Sequence, residues 1–302
     1  MAATGRVKRW QAQVASAALH NAYIPGFLKG TLYQGDLKHL CVPGFNCYSC
    51  PGAVGACPIG ALQAVAGSPG ARISLYVLGF LGILGALAGR WICGWICPFG
   101  ALQDLLYRIR VRKPGKALKF FRTARWTKYV LLASAVLLLP AWIAQTTGLS
   151  IPVYCKYICP AGTLEGGIPL TLADPALRSA VGPLFSWKML LLLITVGASI
   201  LFSRPFCKVG CPLGAFYSLF NRVSPVGLTY DSSRCRRCGV CVRRCGMGVD
   251  PRRDPDHLEC IRCGECARAC PGKALHLGIR RGGTGVRCTG CKEAAPVQPP
   301  HQ

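Results

Sequence analysis

Cys235, Cys238, Cys241 and Cys245 form one Cys-x-x-Cys-x-x-Cys-x-x-x-Cys run, and Cys260, Cys263, Cys266 and Cys270 repeat it, closing on Pro271. Three thiolates at such close spacing let a tight loop wrap three corners of a [4Fe–4S] cube. The fourth, three residues on, points away and ligates the other cube. This assigns Cys235, Cys238, Cys241 and Cys270 to one cluster and Cys260, Cys263, Cys266 and Cys245 to a second. Such a pair carries electrons one at a time. Zinc also takes Cys-x-x-Cys pairs, so two zinc sites are the competing reading; two complete runs weigh against it.

The segment resembles the bacterial two-cluster ferredoxins, with Gly246 after Cys245 where those proteins usually have Pro. Upstream, four segments share one phrase: CPIGALQ at Cys57, CPFGALQ at Cys97, CPAGTLE at Cys159 and CPLGAFY at Cys211. Pro suits the first helical position, where no backbone N–H is needed. A Cys just ahead of a helix N-terminus feels the positive end of its dipole, which stabilises a thiolate and the negative charge of a cluster. The phrase is therefore a ligand joined to a helix start. Three of the four follow a second cysteine closely, as Cys93/Cys97, Cys155/Cys159 and Cys207/Cys211, while Cys57 follows Cys41, Cys47 and Cys50.

The elements that must position these cysteines are apolar spans. Mean hydropathy is +0.34 with 51% hydrophobic residues, too apolar for an ordinary soluble protein. Ile73–Gly89, Tyr129–Leu149 and Leu184–Phe202 approach the ~20 residues that cross a bilayer. Pro140 is expected to kink the second, and Lys188 to snorkel from one end of the third. Trp10–Phe27 is weaker, interrupted by Gln11, Gln13, His20, Asn21 and Pro25; its interruptions also argue against a signal peptide.

The order span, Cys57 group, span, Cys97 group recurs as span, Cys159 group, span, Cys211 group, a tandem repeat. If both halves cross in the same sense the repeat is parallel. The basic stretch from Arg108 to Lys128 then marks the cytoplasmic side. Cys93, Cys97, Cys207 and Cys211 converge on the inner face as one cluster site. Six cysteines are left for the outer face, and the expected set is Cys50, Cys57, Cys155 and Cys159, with Cys47 as first substitute. Disulfides or buried thiols are the plainer alternative for these pairs. The hydrocarbon core is ~30 Å thick, too far for one efficient tunnelling step. Either the ligand loops dip inward, or a quinone or another cofactor bridges the faces, or the outer site is off the circuit. His20 is a candidate quinone contact, against a plain local hydrogen bond.

A disulfide scaffold explains 20 cysteines only in a small secreted protein. A net charge of +25 suggests nucleic acid, but the basic residues gather beside apolar spans and around the cluster motifs, which argues against that partner. No Cys-x-x-Cys-His haem motif occurs. The expected architecture is an α-helical multi-pass membrane domain of about four spans over residues 1–228. An α+β two-[4Fe–4S] ferredoxin-like domain over 229–280 follows, then a flexible tail over 281–302 with a lone Cys288/Cys291 pair.

Apolar spans, Cys-x-x-x-Cys-Pro pairs at Cys93/Cys97 and Cys207/Cys211, and a C-terminal two-cluster ferredoxin together resemble the NapH-, NosR- and YccM-type membrane polyferredoxins. The resemblance implies electron transfer between the quinone pool or a cytoplasmic carrier and a partner redox enzyme. The Cys41 to Cys57 group and the Cys155/Cys159 pair depart from the better-known members, and the large flavin-binding domain of NosR is lacking. The expected setting is a prokaryotic inner membrane, with the N-terminus and ferredoxin part cytoplasmic. Arginines around the ferredoxin motifs, Arg234, Arg236, Arg237, Arg243, Arg244, Arg262 and Arg268, suit an acidic carrier such as ferredoxin or flavodoxin. Competing functions are a maturation reductase using outer-face thiols and a redox-sensing regulator using Cys288/Cys291.

Overall fold

The computed structural model describes residues 9–68, 75–113 and 118–280, so Cys288 and Cys291 lie outside the described residues. The apolar runs are helices. Phe120–Thr147 has 28 residues and Pro183–Leu201 has 19, and both are long and apolar enough to cross a bilayer. Leu75–Ala88 stops at 14 residues, ended by Gly89 in the left-handed conformation (φ 53°). Arg9–His20 has 12, after which Pro25 opens a separate short helix, Ile24–Lys29. Of about four spans expected, two therefore reach crossing length among the described residues.

Pro140 shapes its helix as its chemistry demands. It has no N–H for the carbonyl four residues back, and its ring crowds that carbonyl. A π-helical stretch, Leu132–Leu138, widens the turn just ahead of it. Gly162–Gly167 does the same ahead of Pro169. Gly148 then ends the long helix at φ 69°, its N–H bonded to Ala144 O, and the chain turns back. The short helix Val153–Tyr157 packs against Leu132–Leu138, so Cys155 re-enters alongside the helix that delivered it.

This re-entry revises the two-faced picture. Cys57 and Cys159, expected on one side of the bilayer, share a single buried core with Cys93, Cys97 and Cys211, expected on the other. Phe45, Leu81, Phe99, Tyr154 and Tyr217 fill the space among them.

The C-terminal part folds around strand β1 (Val226–Tyr230), antiparallel to strand β2 (Leu275–Ile279), with Leu228 opposite Leu277. It begins three residues before the boundary expected at 229. Its second cysteine run is seated on the helical part. At Gly94 an added Cβ would lie 2.3 Å from Ile261 O, so only glycine allows the approach. Trp95 Nε1 donates to Arg262 O at 3.0 Å. Arg262, wholly buried, donates to Ala88 O (3.0 Å), Asn221 O and Ser224 Oγ. Glu259 accepts from Arg90 Nη1 at 2.7 Å and Lys128 Nζ at 2.6 Å, both cations fully buried.

Removing one partner of a buried ion cluster costs about 3–5 kcal/mol, because uncompensated charge stays behind. Glu259→Ala, which strands two cations, is expected to destabilise the protein by that amount and to open residues 226–280 to protease first. Thermal unfolding followed by circular dichroism, run beside limited proteolysis, checks both; an unchanged melting curve would show that the triad does not hold the parts together.

Candidate metal centres

Cys57, Cys97 and Cys211 stand immediately before the helices Pro58–Ala66, Pro98–Leu106 and Pro212–Leu219, and Cys159 stands before the turn opened by Pro160. The glycine of each phrase falls at the third helical position, where its N–H is otherwise unpaired. Gly100 donates to Cys97 Sγ (3.4 Å), Gly162 to Cys159 Sγ (3.4 Å) and Gly214 to Cys211 Sγ (3.3 Å), and the Gly60 N–H faces Cys57 likewise.

The last residue of each phrase reaches into another cysteine loop. Gln63, fully buried, donates to Cys155 Sγ at 3.1 Å and accepts from Tyr154 N at 2.8 Å. Gln103 repeats this one motif on: Nε2 to Cys207 Sγ at 3.2 Å, Oε1 from Phe206 N at 3.2 Å. In return Glu165 accepts from Cys47 N at 2.6 Å, and Tyr217 OH donates to Pro43 O at 3.1 Å. The first phrase is thus tied to the third in both directions, the second to the fourth through Gln103, and the fourth to the Cys41 to Cys57 loop through Tyr217. Sequence reading passed over these four side chains. Their signal was present in the recurring Gln that ends CPIGALQ and CPFGALQ.

Two cysteine sets result. Cys93, Cys97, Cys207 and Cys211 lie close enough for their charges to act on one another, as do Cys47, Cys57, Cys155 and Cys159. Cys47, the first substitute, lies with this set, and Cys50, close enough to act on Cys47, faces Asn21 Oδ1 with its Sγ at 3.3 Å. Cys41 pairs by its N–H with Tyr76 OH and joins neither set. His20 makes a 3.5 Å contact with Ser16 in its own helix.

Cations flank the sets. Arg204 reaches Cys93 O, and Arg90 reaches Cys207 O at 3.2 Å, so each arginine stands three residues before one cysteine and bonds the other. Arg204 is fixed in turn by Asp104 at 2.7 Å. Lys188, half-buried, donates to Cys155 O at 3.3 Å. Burial pushes the Cys57, Cys159 and Cys211 thiols well up, and raises Cys47 to about 12 with the Glu165 carboxylate adding to the effect. Without iron these groups are thiols; binding iron releases their protons.

The sets are neighbours. The Phe45 N–H faces Cys97, and Cys47, two residues on, belongs to the other set; two residues span at most about 7 Å. Tyr154 precedes Cys155, yet its hydroxyl donates to Gly210 O at 2.8 Å, next to Cys211.

In the C-terminal part, Cys235, Cys238, Cys241 and Cys270 line one cavity with Tyr230 and Leu275. Cys245, Cys260, Cys263 and Cys266 gather beside it. Lys208 lies between Cys245 and Cys207, linking this group to the helical part.

Each set offers four sulfurs, with backbone N–H groups aimed at several of them, and the Cys235, Cys238, Cys241 and Cys270 set lines a cavity. A Cβ at Gly162 would sit 3.8 Å from both Cys47 Sγ and Cys159 Sγ. Among the described residues no three Cys, His, Asp or Glu side chains close on a single ion; a cube, whose thiolates each bind a different iron, needs them further apart. The donor sets fit [4Fe–4S] clusters.

A family model described as a 4Fe-4S binding domain matches residues 71–117, 132–168 and 185–228, and a second of that description matches 255–276. An uncharacterized protein of Methanocaldococcus jannaschii is 31% identical over 194 residues, 64% of this chain and 73% of its own length. The chain belongs to this family of ferredoxin-type iron–sulfur electron-transfer proteins. The methylamine utilization ferredoxin-type protein MauN of Methylobacillus flagellatus is 28% identical over 57% of this chain and 52% of its own. The ferredoxin-type protein NapH of Escherichia coli is 27% identical over 62% and 59%. The chain thus spans little more than half of these two relatives. No solved structure matches it. The three segments of the first model each hold one Cys-x-x-x-Cys-Pro pair, and the Cys41 to Cys57 group precedes them.

Hydrogen-bonded partners of metal ligands typically change metal affinity 10–100-fold when removed. Gln103→Leu and Gln63→Leu keep much of the side-chain volume and lose those bonds, so each is expected to shed iron from its own site by roughly that factor. Iron per chain under chelator challenge measures it; full retention in both variants would make the glutamines mere packing.

Proposed function

We propose that the chain is a membrane-anchored electron conduit with a [4Fe–4S] cluster at each of the four cysteine sets. The Cys235 cluster leads to the Cys260 cluster, then to the Cys93, Cys97, Cys207 and Cys211 site, then to the Cys47, Cys57, Cys155 and Cys159 site. Electrons pass between a cytoplasmic carrier or the quinone pool and a partner redox enzyme. Trp10–Phe27 and Leu75–Ala88, with their flanks, join the two long helices as a tandem pair of two-helix units in a prokaryotic inner membrane. The basic loop and the ferredoxin part face the cytoplasm.

One observation supports this reading: Cys57, Cys93, Cys97, Cys159 and Cys211, from well-separated stretches of the chain, share one buried core with Phe45, Tyr154 and Tyr217. No 30 Å gap then separates them, and no second cofactor is required to close it. The reading of outer cysteines as reactive thiols in a maturation reductase lacks such support, since Cys41 and Cys50 are only 8% and 3% exposed.

Anaerobically purified protein is expected to hold about 16 iron and as much sulfide, from four cubes of four. Electron paramagnetic resonance of the reduced protein is expected to show mutually broadened signals. About eight iron, with narrow signals, would leave a tethered two-cluster ferredoxin and defeat the conduit.

A further inference from the structure

The two cysteine runs of the C-terminal part are built alike. Cys235-Arg236-Arg237-Cys238-Gly239 corresponds to Cys260-Ile261-Arg262-Cys263-Gly264. Arg237 and Arg262 both hold the left-handed backbone, at φ 53° and 52°, and the glycines follow at φ 71° and 75°. A side chain rarely adopts that conformation. Here it turns the arginine N–H toward the thiolate two residues back, as Arg237 N does to Cys235 Sγ at 3.4 Å.

The two arginines meet different surroundings. Arg262 is spent on the chain itself, its guanidinium inserted among Ala88 O, Asn221 O and Ser224 Oγ, with Ile261 buried beside it. Arg237, in the other run, is exposed and its guanidinium makes no hydrogen bond or ion pair among the described residues. Cys238 beside it is exposed, whereas Cys263 is partly covered. Arg236, Arg237, Arg243 and Arg244 are all exposed and form no ion pair among the described residues, although Arg234 and Arg268 are paired to Asp231 and Glu265.

We infer that the Arg236–Cys238 loop is the docking hook for an acidic electron-carrier protein, inserting Arg237 into the carrier as Arg262 is inserted into the helical part. This rests on the conduit reading and names its cytoplasmic partner. Occupation of the hook brings the carrier against the most exposed cysteine of the ferredoxin part. The surrounding arginines steer an acidic surface on approach, and the inserted guanidinium holds it. A planar fork bonded to several oxygens is not replaced by an ammonium.

The test measures binding of an acidic flavodoxin to the full-length, iron-loaded chain in neutral-lipid nanodiscs, as association and dissociation rates against salt. Arg237→Lys keeps the charge and loses the fork. Arg237→Gly removes the side chain at a position whose backbone favours glycine, so the loop is unstrained. Both are expected to dissociate at least about tenfold faster with unchanged iron content. Arg236→Ala and Arg243→Ala should instead slow association and flatten its salt dependence. Arg110→Ala, an exposed arginine of the basic loop, is expected to change neither rate. Wild-type dissociation in Arg237→Lys, equal weakening by Arg110→Ala, or no binding by the iron-loaded wild type overturns the hook. Iron assays on the same preparations separate the two ideas: a chain with empty helical-part sites defeats the conduit, whereas a fully loaded chain with unchanged release defeats only the docking.

Discussion

Each cysteine that opens a helix depends on a side chain from elsewhere to hold its set together. A four-thiolate site cannot be made within one Cys-x-x-x-Cys-Pro phrase, which supplies two sulfurs. The rest must come from a loop far along the chain, and loops placed only by helix packing are too loosely held for metal. The last residue of each phrase solves this by crossing over. Gln63 and Gln103 take both a backbone N–H and a sulfur of the opposite loop, and Glu165 and Tyr217 answer from the other side. Once these four are satisfied, the cysteine loops from distant stretches of the chain are fixed against one another.

A second consequence follows for the buried arginines. Arg90 and Arg204 are too costly to bury unless each is paired and bonded. Both are, and through opposite elements: Arg90 joins Cys207 O to Glu259, while Arg204 joins Cys93 O to Asp104. The same ion cluster that seats the ferredoxin part on the helical part therefore also braces a cysteine loop. Docking and ligand geometry are one problem in this protein. Part of the +25 formal charge that resembles a nucleic-acid binder is consumed in this interior work.

Local features were legible in the residues because covalent spacing dictates them. Cysteine runs place ligands within a loop, and Cys-Pro-x-Gly writes a helix start with an N–H over the sulfur. Even the pairing of first with third phrase and second with fourth follows from the order of repeats. What spacing does not encode is re-entry. Hydropathy reports that Tyr129–Leu149 is apolar, but not that Gly148 turns the chain so that Val153–Tyr157 packs back on Leu132–Leu138. The expected set takes Cys50 beside Cys57 and keeps Cys47 as the substitute. The choice is made across the fold, where Glu165 takes the Cys47 N–H and Asn21 takes the Cys50 thiol.

The two sets in the helical part are alike in ligands and unlike in charge. Around Cys93 stand two guanidiniums, Arg90 and Arg204, whose carboxylate partners lie on their far sides. Around Cys47 stand Lys188 and the carboxyl group of Glu165, which burial raises to about 7 so that it is charged only in part at neutral pH, in the place where the other phrases have a neutral tyrosine or glutamine. Added positive charge favours the more negative, reduced form of any cluster, and a buried carboxylate opposes it. Under the conduit reading an electron thus rests more stably at the Cys93 site than at the Cys47 site. The four phrases share one ligand frame, and the different side chains at their seventh residue, Gln63, Gln103, Glu165 and Tyr217, make the sites electrically distinct. Under that reading a wire of identical sites has no preferred resting place for its electron, and the arginines Arg90 and Arg204 beside Cys93 also set the two sites apart.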